Sequence, residues 1–147
     1  MREEKPHKIE VHVAAICFKR DKVLILKRNC NREIHPCLWE CGGGQVKEGE
    51  NFTEAIIRQM KEETNLLVRP LSVLTTYEIK TKDLKIPGII TICEHIKGEV
   101  KLSEEHTEYK WLSLLEEDEG LFRNTLIPGL HEDILKAYGR FKEIKQQ

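Results

Sequence analysis

The sequence has no apolar run that could cross a bilayer. Its longest, such as Val23–Leu26, fall far short of the roughly 20 residues a spanning helix needs. It also lacks an excess of either charge, with 24 Lys and Arg against 25 Asp and Glu in 147 residues. No overall field therefore draws it to a nucleic-acid polymer or an anionic membrane. The opening MREEKPHKIE has no signal-peptide apolar core, so a cytoplasmic location is expected. Repeats, low-complexity tracts and linkers are missing too, which leaves one domain over residues 1–147. Cysteine pairs at C-x-x-C spacing are absent, and the five cysteines (Cys17, Cys30, Cys37, Cys41, Cys93) are odd in number. That pattern predicts free thiols in a reducing compartment and no disulfide framework. Cys30, His35, Cys37 and Cys41 crowd together, but without the paired knuckle of a zinc site.

What the sequence does have is a clear order of elements. VHVAAICF (Val11–Phe18) and VLILKR (Val23–Arg28) read as a hairpin of buried strands joined through KRDK. A loop leads to LWECGGGQVKEGEN, whose glycines permit backbone shapes closed to other residues. A helix follows, opened by a capping box of Asn51 and Glu54 and stopped by Asn65 in a left-handed position. LSVLTTYEI, GIITICEHI and EYKWLSL read as further strands, and HEDILKAYGRFKEI as a closing amphipathic helix. Strands on both sides of a central helix, with a second helix at the end, predict a layered α/β sandwich. The spacing does not say which strands run parallel.

On the central helix, with Phe52 set to zero, Ile56, Met60 and Ile57 fall in an arc of roughly 40° to 140°. Gln59, Glu62 and Glu63 fall between roughly 280° and 20°, with Ala55 and Phe52. The two carboxylates thus border the apolar stripe. Two acids at a core edge repel each other and resist burial unless a cation offsets them. A metal ion or a nearby arginine would do so.

The segment GQVKEGENFTEAIIRQMKEETNL, Gly44 to Leu66, resembles the Nudix box, G-x5-E-x7-R-E-U-x-E-E-x-G-U, with U a bulky aliphatic residue. Gly44, Glu50, Arg58, Met60, Glu62, Glu63 and Leu66 fall in register, and LWECGG upstream is similar to the family's W-x-x-P-G-G lead-in. The resemblance implies an α/β/α sandwich with a mixed sheet. It also implies hydrolysis of a nucleoside diphosphate linked to another group, with Mg2+ or Mn2+ as cofactor. The implied partner is a nucleotide or nucleotide derivative, and a homodimer is compatible with the family. Glu62 and Glu63 become metal ligands, helped by a backbone carbonyl at Gly43 or Gly44. Arg58 pairs with Glu50 and braces the loop against the helix.

Three departures stand out. Gly42 replaces the lead-in proline, Asn65 replaces the box glycine, and Gln59 replaces a glutamate that serves the family as metal ligand or general base. A carboxamide carries no charge and takes no proton, so loss of a base there would slow the reaction by roughly 10²–10⁴. SEEHTEYKW resembles a segment that supplies an acid from outside the box in some branches. Glu105 is the first candidate and Glu108 the second, each also readable as a surface acid; His106 reads as bland. Arg28 resembles a substrate-contacting position and reads equally well as a solvated strand-end arginine. Tyr77, Phe18 and Trp111 are unranked candidates for stacking on a base. The competing function is a Nudix-fold protein that binds nucleotide without cleaving it, supported by Gln59 alone.

Overall fold

A computed structural model describes residues 8–115 and 122–147. The strands are β1 (His12–Lys19), β2 (Lys22–Arg28), β3 (Trp39–Glu40), β4 (Gly42–Gln45), β5 (Leu67–Lys80), β6 (Lys85–Lys97) and β7 (His106–Ser113). Helix α1 spans Phe52–Thr64, and helix α2 spans Leu130–Lys145 after a short 3-10 turn at Arg123–Thr125. One mixed sheet holds all seven strands in the order β3-β2-β1-β6-β5, with β4 paired to β1 and β7 paired to β2. The β1–β6 pairing is parallel, while the pairings of β1 with β2 and β4, of β2 with β3 and β7, and of β5 with β6 are antiparallel.

The strands are continuously apolar because both sheet faces are covered, and side chains alternate between them. From β1, Ile16 and Phe18 enter a core with Ile134, Ala137, Tyr138 and Phe141 of α2. Val13, Ala15 and Cys17 enter a second core with Ala55, Ile56 and Met60 of α1. The result is a single-domain α/β/α sandwich. Phe18 is therefore no base-stacking platform: it is fully buried, stacked on Phe141 with ring centroids 4.8 Å apart.

Two local expectations change. The glycine-rich stretch is a strand rather than a loop, with Gly42–Gln45 antiparallel to His12–Ala15. Close approach of β1 explains the glycine at 43, where a Cβ would collide with the Val13 carbonyl and lie 2.8 Å from Ala14 Cα. The cysteines are also not all free. Cys30 and Cys37 form a disulfide, while Cys17, Cys41 and Cys93 remain thiols. Left-handed residues His35 (φ 49°) and Cys37 (φ 64°) fold the β2–β3 loop back on itself, so the two Cα atoms come within 4.4 Å. Spacing alone does not reveal such a turn.

Candidate active site

Helix α1 starts and stops on the side chains its sequence supplies. The Asn51 side chain accepts from the Glu54 amide at 2.8 Å, and Glu54 accepts in return from the Asn51 amide at 3.2 Å. Asn65 takes the left-handed stop with φ 66°, and its amide donates to the Lys61 carbonyl at 3.0 Å. The buried residues of the helix are Ala55, Ile56, Met60, Glu63 and Thr64. Phe52, used as the origin of the wheel, is 46% exposed. The buried set runs from Ala55, at roughly 300° on that wheel, round to Thr64, at roughly 120°, so Glu63 at roughly 20° lies in the middle of the packing face and not at its border.

Glu63 is only 3% exposed. Its Oε2 accepts the Gly43 amide at 3.1 Å, joining α1 to β4. Burial pushes its carboxyl up to about 9, with the neighbouring Glu105 and Glu40 adding to the rise and the Gly43 amide opposing it. Glu62, one position along, is half-exposed and accepts from Arg58 at 3.2 Å. Arg58 makes the brace the box predicts. Its Nε and Nη2 reach the Glu50 carboxylate at 2.6 and 2.8 Å, and Nη2 also donates to the Gln45 carbonyl at 2.9 Å. The Glu50 carboxyl is held down to about 2, first by the Arg58 hydrogen bonds and then by the Lys47 amide.

Gln59 lies against Gly44, where a Cβ would collide with its carboxamide, and its Nε2 donates to the Gln45 carbonyl at 3.2 Å. The side chain thus holds the end of β4 beside Arg58. A glutamate in that orientation would have no proton to give the carbonyl.

Of the two acids considered outside the box, Glu105 is the one grouped with Glu63. An oxygen from each of Glu63 and Glu105 and a ring nitrogen of His106 lie within 4.8 Å of one another, the one such group of potential metal ligands among the described residues. Sequence reasoning passed over His106 and did not consider Glu40. His106 Nε2 lies 2.8 Å from Glu40 Oε2, and Arg28 Nη1 donates to both Glu40 oxygens at 2.9 and 3.0 Å. Arg28 also donates from Nε to the Ile34 carbonyl at 3.1 Å. It is therefore an ion-paired, mostly covered side chain and not a solvated strand end.

Glu108 sits elsewhere, paired to Lys27 at 3.1 Å. A bulge separates it from the cluster: Lys27 opposes Glu108, whereas the next residue, Arg28, opposes His106. The extra residue, Thr107, breaks the two-residue alternation and sends His106 and Glu108 to opposite faces. Trp111 lines a cavity of about 340 Å³ with Lys19, Arg20 and Lys22, at the far end of β2 from Arg28. Tyr77 is packed against Gly88.

A metal suits these residues. Glu63 is a buried carboxyl group beside a second one, with no cationic side chain among the described residues hydrogen-bonded to it. A divalent cation would remove both the repulsion and much of the burial penalty. A buried helix carboxyl group, tied to a glycine strand and grouped with an acid from the turn before β7, is compatible with the box expectation. The family model of the NUDIX domain matches residues 8–130.

The chain belongs to the Nudix family.

Among its Nudix relatives is the ADP-ribose pyrophosphatase of Methanocaldococcus jannaschii, 32% identical over 150 aligned positions that cover 96% of this chain and 82% of that protein. The 8-oxo-dGTP diphosphatase of Buchnera aphidicola is 30% identical over 102 positions, covering 69% and 75% of the two chains. The MutT protein of Methanosarcina mazei superposes with a TM-score of 0.68 and 26% identity, over 99% of this chain and all of that one. A Nudix hydrolase from Nitrosomonas europaea has a TM-score of 0.72 at 19% identity, over 92% and 91% of the chains, and speaks for the fold alone. Together these support a pyrophosphohydrolase enzyme. No helix among the described residues is long and apolar enough to cross a membrane.

Proposed function

We propose that this Nudix chain hydrolyses a pyrophosphate bond in a nucleoside diphosphate linked to another moiety, by attack of water on phosphorus. The observation that carries the reading is the buried Glu63 carboxylate, tied to Gly43 and set beside Glu105 and His106. Glu63, Glu62 and Glu105, with a carbonyl of Gly43 or Gly44, would hold Mg2+ or Mn2+. When bound there, a divalent cation would supply neutralisation of phosphate charge and a more acidic water. Arg58 keeps the β4–α1 connection in place through Glu50 and Gln45. Glu105 is the acid best placed to take a proton from water, because Gln59 has no basic oxygen. Arg28 serves the site through Glu40. The reading carries with it a cytoplasmic location, one domain over residues 1–147 and a small-molecule nucleotide substrate, with ADP-ribose the first to try by similarity.

The test is metal-dependent product release from ADP-ribose, dinucleoside polyphosphates, nucleotide sugars and nucleoside triphosphates, comparing the chain with Gln59→Glu and Glu105→Gln. Turnover by the parent, less than tenfold gain in Gln59→Glu and a loss of roughly 10²–10⁴ in Glu105→Gln are expected. Turnover by Gln59→Glu alone would instead make the chain a nucleotide-binding module.

A further inference from the structure

We propose that His106 is a nitrogen ligand of the metal at this site, and that Glu40 and Arg28 hold its ring in the ligating tautomer. The inference rests on the metal-site reading above and adds to it a residue type that the box does not contain. His106 is buried, with its side chain 2% exposed. Its Nε2 faces Glu40 Oε2 at 2.8 Å, and the same oxygen accepts from Arg28 Nη1 at 3.0 Å. A carboxylate bound to a guanidinium only accepts, so the proton of the neutral imidazole is on Nε2. That assignment leaves a lone pair on Nδ1.

Nδ1 is buried and has no hydrogen-bond partner among the described residues. A buried acceptor left unpaired is unfavourable. The potential ligands grouped with the ring are Glu63 and Glu105, and neither carboxyl group is hydrogen-bonded to Nδ1. A lone pair among carboxylate oxygens is a repulsive arrangement that a cation between them turns into an attractive one. The carboxylate-imidazole-metal chain is a recurring way to fix a ligand histidine, and here the carboxylate is itself anchored by Arg28. The β7 bulge at Thr107 aims the ring inward. An imidazole in an otherwise oxygen site shifts preference from Mg2+ toward Mn2+ and the later first-row ions.

The experiment is pulsed electron paramagnetic resonance on the full chain loaded with Mn2+. A 14N coupling of directly bound imidazole is expected, replaced by a 15N signal when the protein is grown with 15N-histidine. This needs no variant and is indifferent to any folding defect. His106→Gln should abolish the coupling and weaken Mn2+ more than Mg2+. Glu40→Gln should weaken Mn2+ by roughly 10- to 100-fold while keeping the coupling. Mn2+ bound with no nitrogen coupling would overturn the His106 assignment and leave the metal site standing. Failure to bind Mn2+ at all would overturn both.

Discussion

The Gly43 amide and the Glu63 carboxylate are hydrogen-bonded at 3.1 Å across 20 residues of chain. That contact ties strand β4 to helix α1, and the glycines of the strand have no room for a Cβ. A Cβ at Gly42 would lie 2.6 Å from Met60 Sδ and 3.0 Å from Glu63 Oε2, whereas one at Gly43 would strike backbone atoms of β1. Met60 can swing away and backbone cannot. Gly42→Ala should cost about 1–3 kcal/mol as an overpacking change. Gly43→Ala should cost more, with urea denaturation giving the order.

The Arg58–Glu50 pair predicts an acid limb. Glu50 has a folded pKa of about 2 against an ordinary 4.5. A depressed carboxyl contributes stability that is fully present above 4.5 and is lost as pH falls through the folded value. In Arg58→Gln the slope of unfolding free energy against pH across that window should flatten. A slope equal to the parent's would show that the pair is not the cause.

Asn65 stands where the family box has glycine. Its φ of 66° is left-handed, and its side chain donates to the Glu99 carbonyl at 3.3 Å. Asn65→Ala should lose about 1–2 kcal/mol, because a Cβ without a compensating bond is strained there. Asn65→Gly should stay within about 0.5 kcal/mol of the parent, since relief at the backbone offsets the lost bond. Thermal melts of the two variants separate these outcomes.

Metal should stabilise the fold through Glu63. At a cation concentration of about 100 times Kd the gain is about 2.7 kcal/mol, read as a rise in Tm that a chelator reverses. Glu63→Gln keeps an oxygen for the Gly43 amide and loses the charge, so its metal-free Tm should equal or exceed the parent's. Its Tm should no longer respond to the ion. A metal shift of parental size in Glu63→Gln would place the cation elsewhere.

Helix α1 was legible in the sequence because its signals are local. Asn51, Glu54 and Asn65 act on backbone within a few residues, and Arg58 reaches Glu50 from eight positions away. The helical wheel put Glu63 at the border of the apolar stripe because that stripe was drawn on Ile56, Met60 and Ile57, whereas Ala55 and Thr64 on either side are buried as well. The polar link at the other side of the site was illegible. Glu40 and His106 are 66 residues apart and meet only because β3 and β7 both pair with β2, at Leu26 and Arg28. The bulge beside Arg28 then puts His106 and Glu108 on opposite faces, where two-residue alternation along the sequence would put them on the same one. Likewise, nothing in the spacing of Cys30 and Cys37 shows the two left-handed residues that bring them together. Composition and periodicity carry local order, while these contacts depend on sheet register.

A carboxylate at the centre of the α1 packing face has a consequence for how the protein would evolve. Selection for heat resistance without metal would push position 63 toward an aliphatic residue, since the site is already a core position in every respect except charge. Each step in that direction would reduce any gain in stability from a bound cation and remove a carboxyl group of the proposed metal site. Position 63 is thus where durability and chemistry compete for one side chain, and libraries selected for one property should drift away from the other at this residue.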